Sequence, residues 1–196
     1  MISQAFKFIY LHIPKTGGTS IWKSLELIVP DLTYVGHGTD KWLPYKNSHF
    51  VFTSIRNPWD LTVSNYFYLR KDKTFWNSSD GSTQYGPRPD HSLVKNLSFN
   101  EFVHALAEGR ITDKHVTTSQ HKWVNKFNID YFIRFENFTS DLRAVCKKIS
   151  LPSPSILKLN STDHAPYQEY YTPELVELVG EFYKRDIELF SYEFKR

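Results

Sequence analysis

The sequence predicts an α/β protein with a mainly parallel sheet flanked by helices. Three short aromatic and β-branched runs, an amphipathic or helix-capped segment downstream of each, and glycine- or proline-marked turns between them carry that expectation. Strands that alternate with helices are joined by crossovers, the connection that parallel pairing needs.

Phe6 to His12 (FKFIYLH) reads as a buried strand, and it runs into Ile13-Pro14-Lys15-Thr16-Gly17-Gly18-Thr19-Ser20. Ile21 to Val29 follows as a helix, with Ile21, Leu25 and Ile28 at helical spacing and Pro30 as its stop. His49 to Ile55 is the second strand, ended by Arg56-Asn57-Pro58, and Trp59 to Leu69 is a helix with Pro58 in its first turn. Asn77 to Ser92 is polar and aperiodic, a long surface loop. Ser98 and Glu101 form a capping box for a helix that runs to about Glu108 and ends at Gly109. Thr118 to Phe127 is a further short helix, Tyr131 to Phe135 the third strand, and Thr139 to Ile149 a helix closed by Leu151-Pro152. The last segment opens at Thr172-Pro173, with Leu175, Leu178, Val179 and Phe182 on its apolar face.

A chain of 196 residues with 40% hydrophobic and 23% charged side chains is expected to form one domain, 1–196, rather than a disordered segment. Aromatics reach 16%, enough to line a cleft as well as fill a core. The net charge, 24 − 21 = +3, is too small for a nucleic-acid coat. Cys146 is the one cysteine, which excludes an intrachain disulfide and a CxxC motif. Eight histidines include no HExxH and no His-x-His pair, so no metal is expected. The start lacks a secretory pattern, and no apolar run approaches the ~18 residues of a membrane span. The four N-x-S/T sequons (Asn77, Asn96, Asn137, Asn160) would matter only after secretion, and a soluble protein of the cytoplasm is expected.

The turn from Lys15 to Ser20 carries the chemistry. Gly17 and Gly18 let the backbone approach a ligand closely, and the following helix offers unpaired N–H groups and the positive end of its dipole. Lys15 adds a point charge; Thr16, Thr19 and Ser20 add hydroxyls. The alternative is a tight turn with a capped helix. The lysine precedes the glycines, unlike a Walker A loop, and the second strand ends in Arg56 rather than a magnesium-holding carboxylate, so a kinase or NTPase fits less well. Arg56 at a strand end suits bidentate contact with a phosphate, and Ser64, eight residues on, can reach the same anion from the helix; pairing of Arg56 with Asp60 is the plainer alternative.

Together, HIPKTGGTS and SIRNPWDLTVSNY resemble the two signature elements of sulfotransferases that use 3′-phosphoadenosine 5′-phosphosulfate (PAPS). The likeness is closest to the carbohydrate-type branch with heparan sulfate 2-O-sulfotransferase and small bacterial members. It implies a P-loop-like three-layer fold, with Lys15, Thr16, Gly17, Gly18, Thr19 and Ser20 on the 5′-phosphosulfate and Arg56 and Ser64 on the 3′-phosphate. Tyr34-Val35-Gly36-His37 resembles the family's Gly-His element, whose histidine is the base, and the carboxyl-terminal half is loosely similar. The Asn77 to Ser92 insert has no counterpart.

The implied reaction is metal-free, in-line sulfuryl transfer from PAPS to a hydroxyl of a carbohydrate or glycoconjugate, leaving 3′,5′-ADP. Lys15 would neutralise the leaving phosphate, and His37 would take the acceptor proton, with His12 and Glu136 as alternatives. Trp59, Tyr66 and Trp123 are candidates to stack on adenine, though core packing is the plainer role. His164 could touch nucleotide or acceptor; Lys122, Lys126, Arg70, Lys71 and Lys73 could rim the site for an anionic acceptor. A non-catalytic nucleotide-binding module stays open beside the kinase.

Overall fold

A computed structural model describes residues 1–34, 36–37, 40–72, 89–157 and 164–195. Lys73 and positions 77–88 of the polar insert lie outside them, and residues 91 and 92 already belong to a helix. The elements, in order, are β1 (Ile2–Ser3), β2 (Phe8–Leu11), α1 (Gly18–Glu26), β3 (Phe50–Ile55), α2 (Pro58–Arg70), α3 (His91–Lys95) and α4 (Phe99–Ala107). Then come α5 (Lys114–Thr117), α6 (Gln120–Val124), β4 (Tyr131–Arg134), α7 (Phe138–Lys148), α8 (Pro173–Phe182) and α9 (Lys184–Phe190). Short 3-10 turns lie at Asp40–Tyr45, Phe135–Asn137 and Tyr167–Tyr170. The chain forms two compact units, Met1–Arg56 with Gln120–Leu159, and Asn57–Ser119 with Asn160–Arg196.

The first unit is the α/β body. Among the described residues its sheet has the order β1-β2-β3-β4, with β2, β3 and β4 parallel and the short β1 antiparallel on the edge. Phe8, Tyr10, Phe52 and Ile133 point to one face and meet Ile21 and Leu25 of α1 and Leu142, Val145 and Cys146 of α7. Ile9, Leu11, Val51 and Ile55 alternate with them and are buried as well. A parallel sheet buried on both faces reads as a continuous apolar run, which is why these strands were legible without alternation. Asp31 accepts from Ser3 Oγ (2.6 Å), Gln4 N (2.8 Å) and Ala5 N (2.9 Å), and so fixes the turn between β1 and β2.

The second unit is helical. Asn57 Oδ1 accepts from Trp59 N and Pro58 opens α2, a mostly buried helix whose Tyr66 packs against Phe99 and Phe102. Ser98 and Glu101 make the expected capping box, and α4 closes ahead of Gly109, whose φ of 74° is left-handed. Thr172 caps α8, whose first residue is Pro173. Among the described residues no helix is long and apolar enough to cross a membrane.

Candidate functional site

In open parallel sheets, ligands bind outside the carboxyl ends of the strands. In the first unit those ends bring together the turn after β2, Arg56 after β3, and the Phe135–Asn137 turn after β4.

The turn after β2 is shaped by backbone conformation. Lys15 (φ 64°) and Gly17 (φ 88°) are left-handed, and α1 starts at once at Gly18 with no side-chain cap from Gly17. A glycine turn that feeds straight into a helix start is the arrangement that cradles anions. Neither glycine can be replaced cheaply: a Cβ on Gly17 would lie 2.7 Å from Phe138 Cε2, and one on Gly18 2.0 Å from His12 Cδ2. Ser20 is buried, while Lys15 and Thr19 are half-buried. Thr16 departs from expectation. Its buried hydroxyl donates to Ile13 O (2.9 Å) and lies 2.7 Å from Ser54 Oγ, so it faces the interior and leaves its main chain to serve the turn.

Arg56 is 7% exposed yet well supported. Its amide donates to Gln120 Oε1 (2.8 Å) and its carbonyl accepts from Gln120 Nε2 (2.9 Å), a two-point bracket that fixes the strand end. Its guanidinium stacks on Phe135 at 4.0 Å and donates through Nη1 to Lys15 O (3.2 Å). The stack desolvates one face of the cation, and the planar edge presents N–H donors of the kind that suit a carbonyl or phosphate. Ser64 is buried on α2, in the second unit.

His37 lies beside the same turn. Its Nδ1 is 3.1 Å from His12 O. A carbonyl only accepts, so Nδ1 carries the proton and the lone pair of the neutral ring sits on Nε2, the form a base needs. The rings of His12 and His37 are 4.2 Å apart, Trp123 is 5.9 Å from His37, and His12 Nδ1 lies 3.1 Å from Tyr34 OH. Tyr34 in turn stacks on Trp22 at 4.5 Å. A cleft of about 370 Å³ opens at His37, lined also by Asp40, Lys41, Lys122, Trp123 and Lys126. Lys126 is paired with Asp40 at 2.8 Å, so three lysines against one aspartate, 3 − 1, leave the cleft at +2.

Trp59 donates from Nε1 to Val176 O and Tyr66 sits among Phe99 and Phe102 with its OH on Leu97 O, so both take the plainer role, core of the second unit. Arg70 caps Leu97 O (2.6 Å) instead of rimming a site. His164 stacks on Phe67 at 5.4 Å, and Glu136 is exposed on the turn after β4. Burial pushes the Cys146 thiol up to about 11, which makes it a packing residue. Among the described residues no three His, Cys, Asp or Glu side chains gather as a metal site. Phe135 and Gln120 lie outside the quoted motifs, and Tyr34 and Ser54 lie within them with no role assigned. Gln120 has no local signal at all, since it meets Arg56 across 64 positions.

The sequence pattern of the sulfotransferase family matches residues 1–193. An uncharacterized protein of Archaeoglobus fulgidus is 28% identical over 130 residues, 63% of this chain and 86% of that protein. With a mostly parallel sheet whose strand ends carry the glycine turn and Arg56, the chain belongs to the sulfotransferase family, whose chemistry is sulfuryl transfer to an acceptor.

Proposed function

We propose that the protein moves the sulfuryl group of PAPS to a hydroxyl of a carbohydrate or glycoconjugate, within the carbohydrate-type branch and in the cytoplasm, with residues 1–196 acting as one domain. The family match through both units supports a single functional domain, and a lone buried thiol suits a reducing compartment.

The acceptor oxygen attacks sulfur in line as the bond from sulfur to the bridging phosphate oxygen breaks. The departing electron pair leaves with 3′,5′-ADP, where Lys15 and the amides from Gly17 to Ser20 neutralise it; Thr16 contributes its main chain. Arg56 holds the 3′-phosphate, and Ser64 joins that contact by the motif it shares with Arg56. The acceptor's proton goes to His37 Nε2. The observation that carries this reading is the His37 Nδ1 bond to a carbonyl, which leaves Nε2 basic beside the glycine turn. The sulfuryl group carries less charge than a phosphoryl group, so amines and amides suffice without a metal. The +2 cleft with Trp123 suits a sugar ring that bears a carboxylate or sulfate.

Radiolabelled PAPS offered to pools of neutral and acidic glycans, lipids, small alcohols and tyrosine peptides tests the reading. Label on an acidic glycan is expected. Label confined to another class would replace the acceptor, and magnesium-dependent ATP turnover without sulfuryl transfer would replace the reaction.

A further inference from the structure

Beneath the glycine turn lies a chain of buried hydroxyls with a single possible polarity. Thr16 Oγ1 donates to Ile13 O at 2.9 Å. A hydroxyl has one proton, so at the 2.7 Å contact Thr16 accepts and Ser54 donates. Ser54 has then used its proton, so at 2.6 Å Tyr10 OH donates to it. The order is Tyr10 to Ser54 to Thr16 to the Ile13 carbonyl, and all three hydroxyl residues are 0% exposed. Burial raises the Tyr10 pKa, in keeping with a phenol that holds its proton.

The chain begins on β2, passes through β3 and ends in the turn. The last bond joins Thr16 to Ile13 and so closes the main chain over Pro14 and Lys15, the residue held at φ 64°. A left-handed lysine is strained and persists only where its surroundings hold it there. The carbonyl of this same lysine receives Arg56 Nη1. We propose that Tyr10 and Ser54 are positioning residues that act through Thr16 to keep Lys15 in its left-handed conformation, with its amine aimed at the donor's 5′-phosphosulfate; this rests on the role given to Lys15 above. Hydrogen bonds in such a chain polarise one another, and loss of the middle member leaves a buried donor and a buried acceptor without partners.

The test is a double-mutant cycle on the dissociation constant of 3′,5′-ADP, measured by calorimetry for Ser54→Ala, Tyr10→Phe and Thr16→Val, each with Lys15 present and in a Lys15→Ala background. With Lys15 present, Ser54→Ala and Thr16→Val are expected to weaken binding about 10-fold, and Tyr10→Phe, which removes a donor without stranding one, a few-fold. In the Lys15→Ala background the same changes are expected to alter binding by less than about two-fold, because there is no amine left to aim. Thr16→Ser, which keeps the hydroxyl, restores binding. Equal losses in both backgrounds, or lower melting temperatures with binding unchanged, overturn the proposal. Should Ser54→Ala not fold, the Tyr10→Phe and Thr16→Val arms decide on the same criterion. Wild-type protein that binds no 3′,5′-ADP overturns the reading of the site, and this proposal with it; wild-type binding with insensitive variants overturns only the positioning role.

Discussion

Gly18→Ala places a methyl group inside the His12 ring. The new Cβ would lie 2.0 Å from Cδ2, 2.1 Å from Nε2 and 2.7 Å from Cγ, so the ring or the helix must give way by about 1.5 Å to reach ordinary contact. Neither has room. His12 is 5% exposed, lies 3.1 Å from Tyr34 OH through Nδ1 and packs against the His37 ring at 4.2 Å. Ile21 and Leu25 anchor α1 in the core. Overpacking of this kind costs roughly 1–3 kcal/mol. For a chain of this size that lowers the melting temperature by roughly 2–12 °C. A catalytic effect adds to this, because a shift of ~1 Å at a reacting group can cost ~100-fold. Thermal denaturation beside a transfer assay measures both. His12→Ala removes the clashing ring, so the double variant should be less destabilised than the sum of the two single changes. A Gly18→Ala protein with wild-type melting and wild-type rate, or strictly additive single changes, would refute the packing argument.

Lys15→Ala should lower turnover by ~100- to 1,000-fold, the loss typical of a transition-state donor, with melting unchanged, because alanine and lysine pay alike for the left-handed backbone. A rate near wild type would remove Lys15 from the mechanism. His37→Ala should keep 3′,5′-ADP affinity and lose transfer; full activity would send the search for a base to His12 or Glu136. Acid should destabilise the first unit through two groups. Burial, with Lys7 nearby, lowers the His49 pKa, so below the ordinary ~6.5 the unfolded chain binds a proton that the folded one refuses, and stability falls with pH. Ser3 Oγ and the Ala5 and Gln4 amides lower the Asp31 pKa, so its contribution holds above the ordinary ~3.9 and is lost as pH drops through the folded value. Urea midpoints against pH should therefore fall less steeply for His49→Gln below ~6.5 and for Asp31→Asn near and below ~3.9; parallel curves would contradict the assignments.

The body of the fold was legible because its signals are local. FIYL, FVFTSI and YFIR announce strands by composition, and Asn57-Pro58, Ser98 with Glu101, and Thr172-Pro173 announce helix starts by capping chemistry. β1 was not legible, since two residues have no period, and besides the adjacent Phe8 and Ile9 its pairing depends on Thr33, far along the chain. α1 begins at Gly18 rather than Ile21 because the glycine turn feeds directly into it, whereas apolar spacing reports only its buried face. The site divides the same way. Lys15, Gly17, Gly18 and Arg56 stood out by residue type and order and His37 by the family resemblance, and the first unit gathers them. What surrounds them did not, because it is tertiary: Phe135 under the guanidinium, Gln120 on its main chain, and Ser54 turning Thr16 away from the ligand side.

In the proposed mechanism the glycine turn and the Arg56 guanidinium grip the two phosphate ends of a single nucleotide. Calorimetric titration of 3′,5′-ADP against 5′-AMP, with EDTA present, on wild-type and Arg56→Ala proteins tests it most directly. A charged hydrogen-bond contact is worth ~1.5–3 kcal/mol, so the wild type should favour 3′,5′-ADP by about 10- to 150-fold and Arg56→Ala should bind the two nucleotides alike. Equal affinities in the wild type, or an undiminished preference without Arg56, would contradict the account.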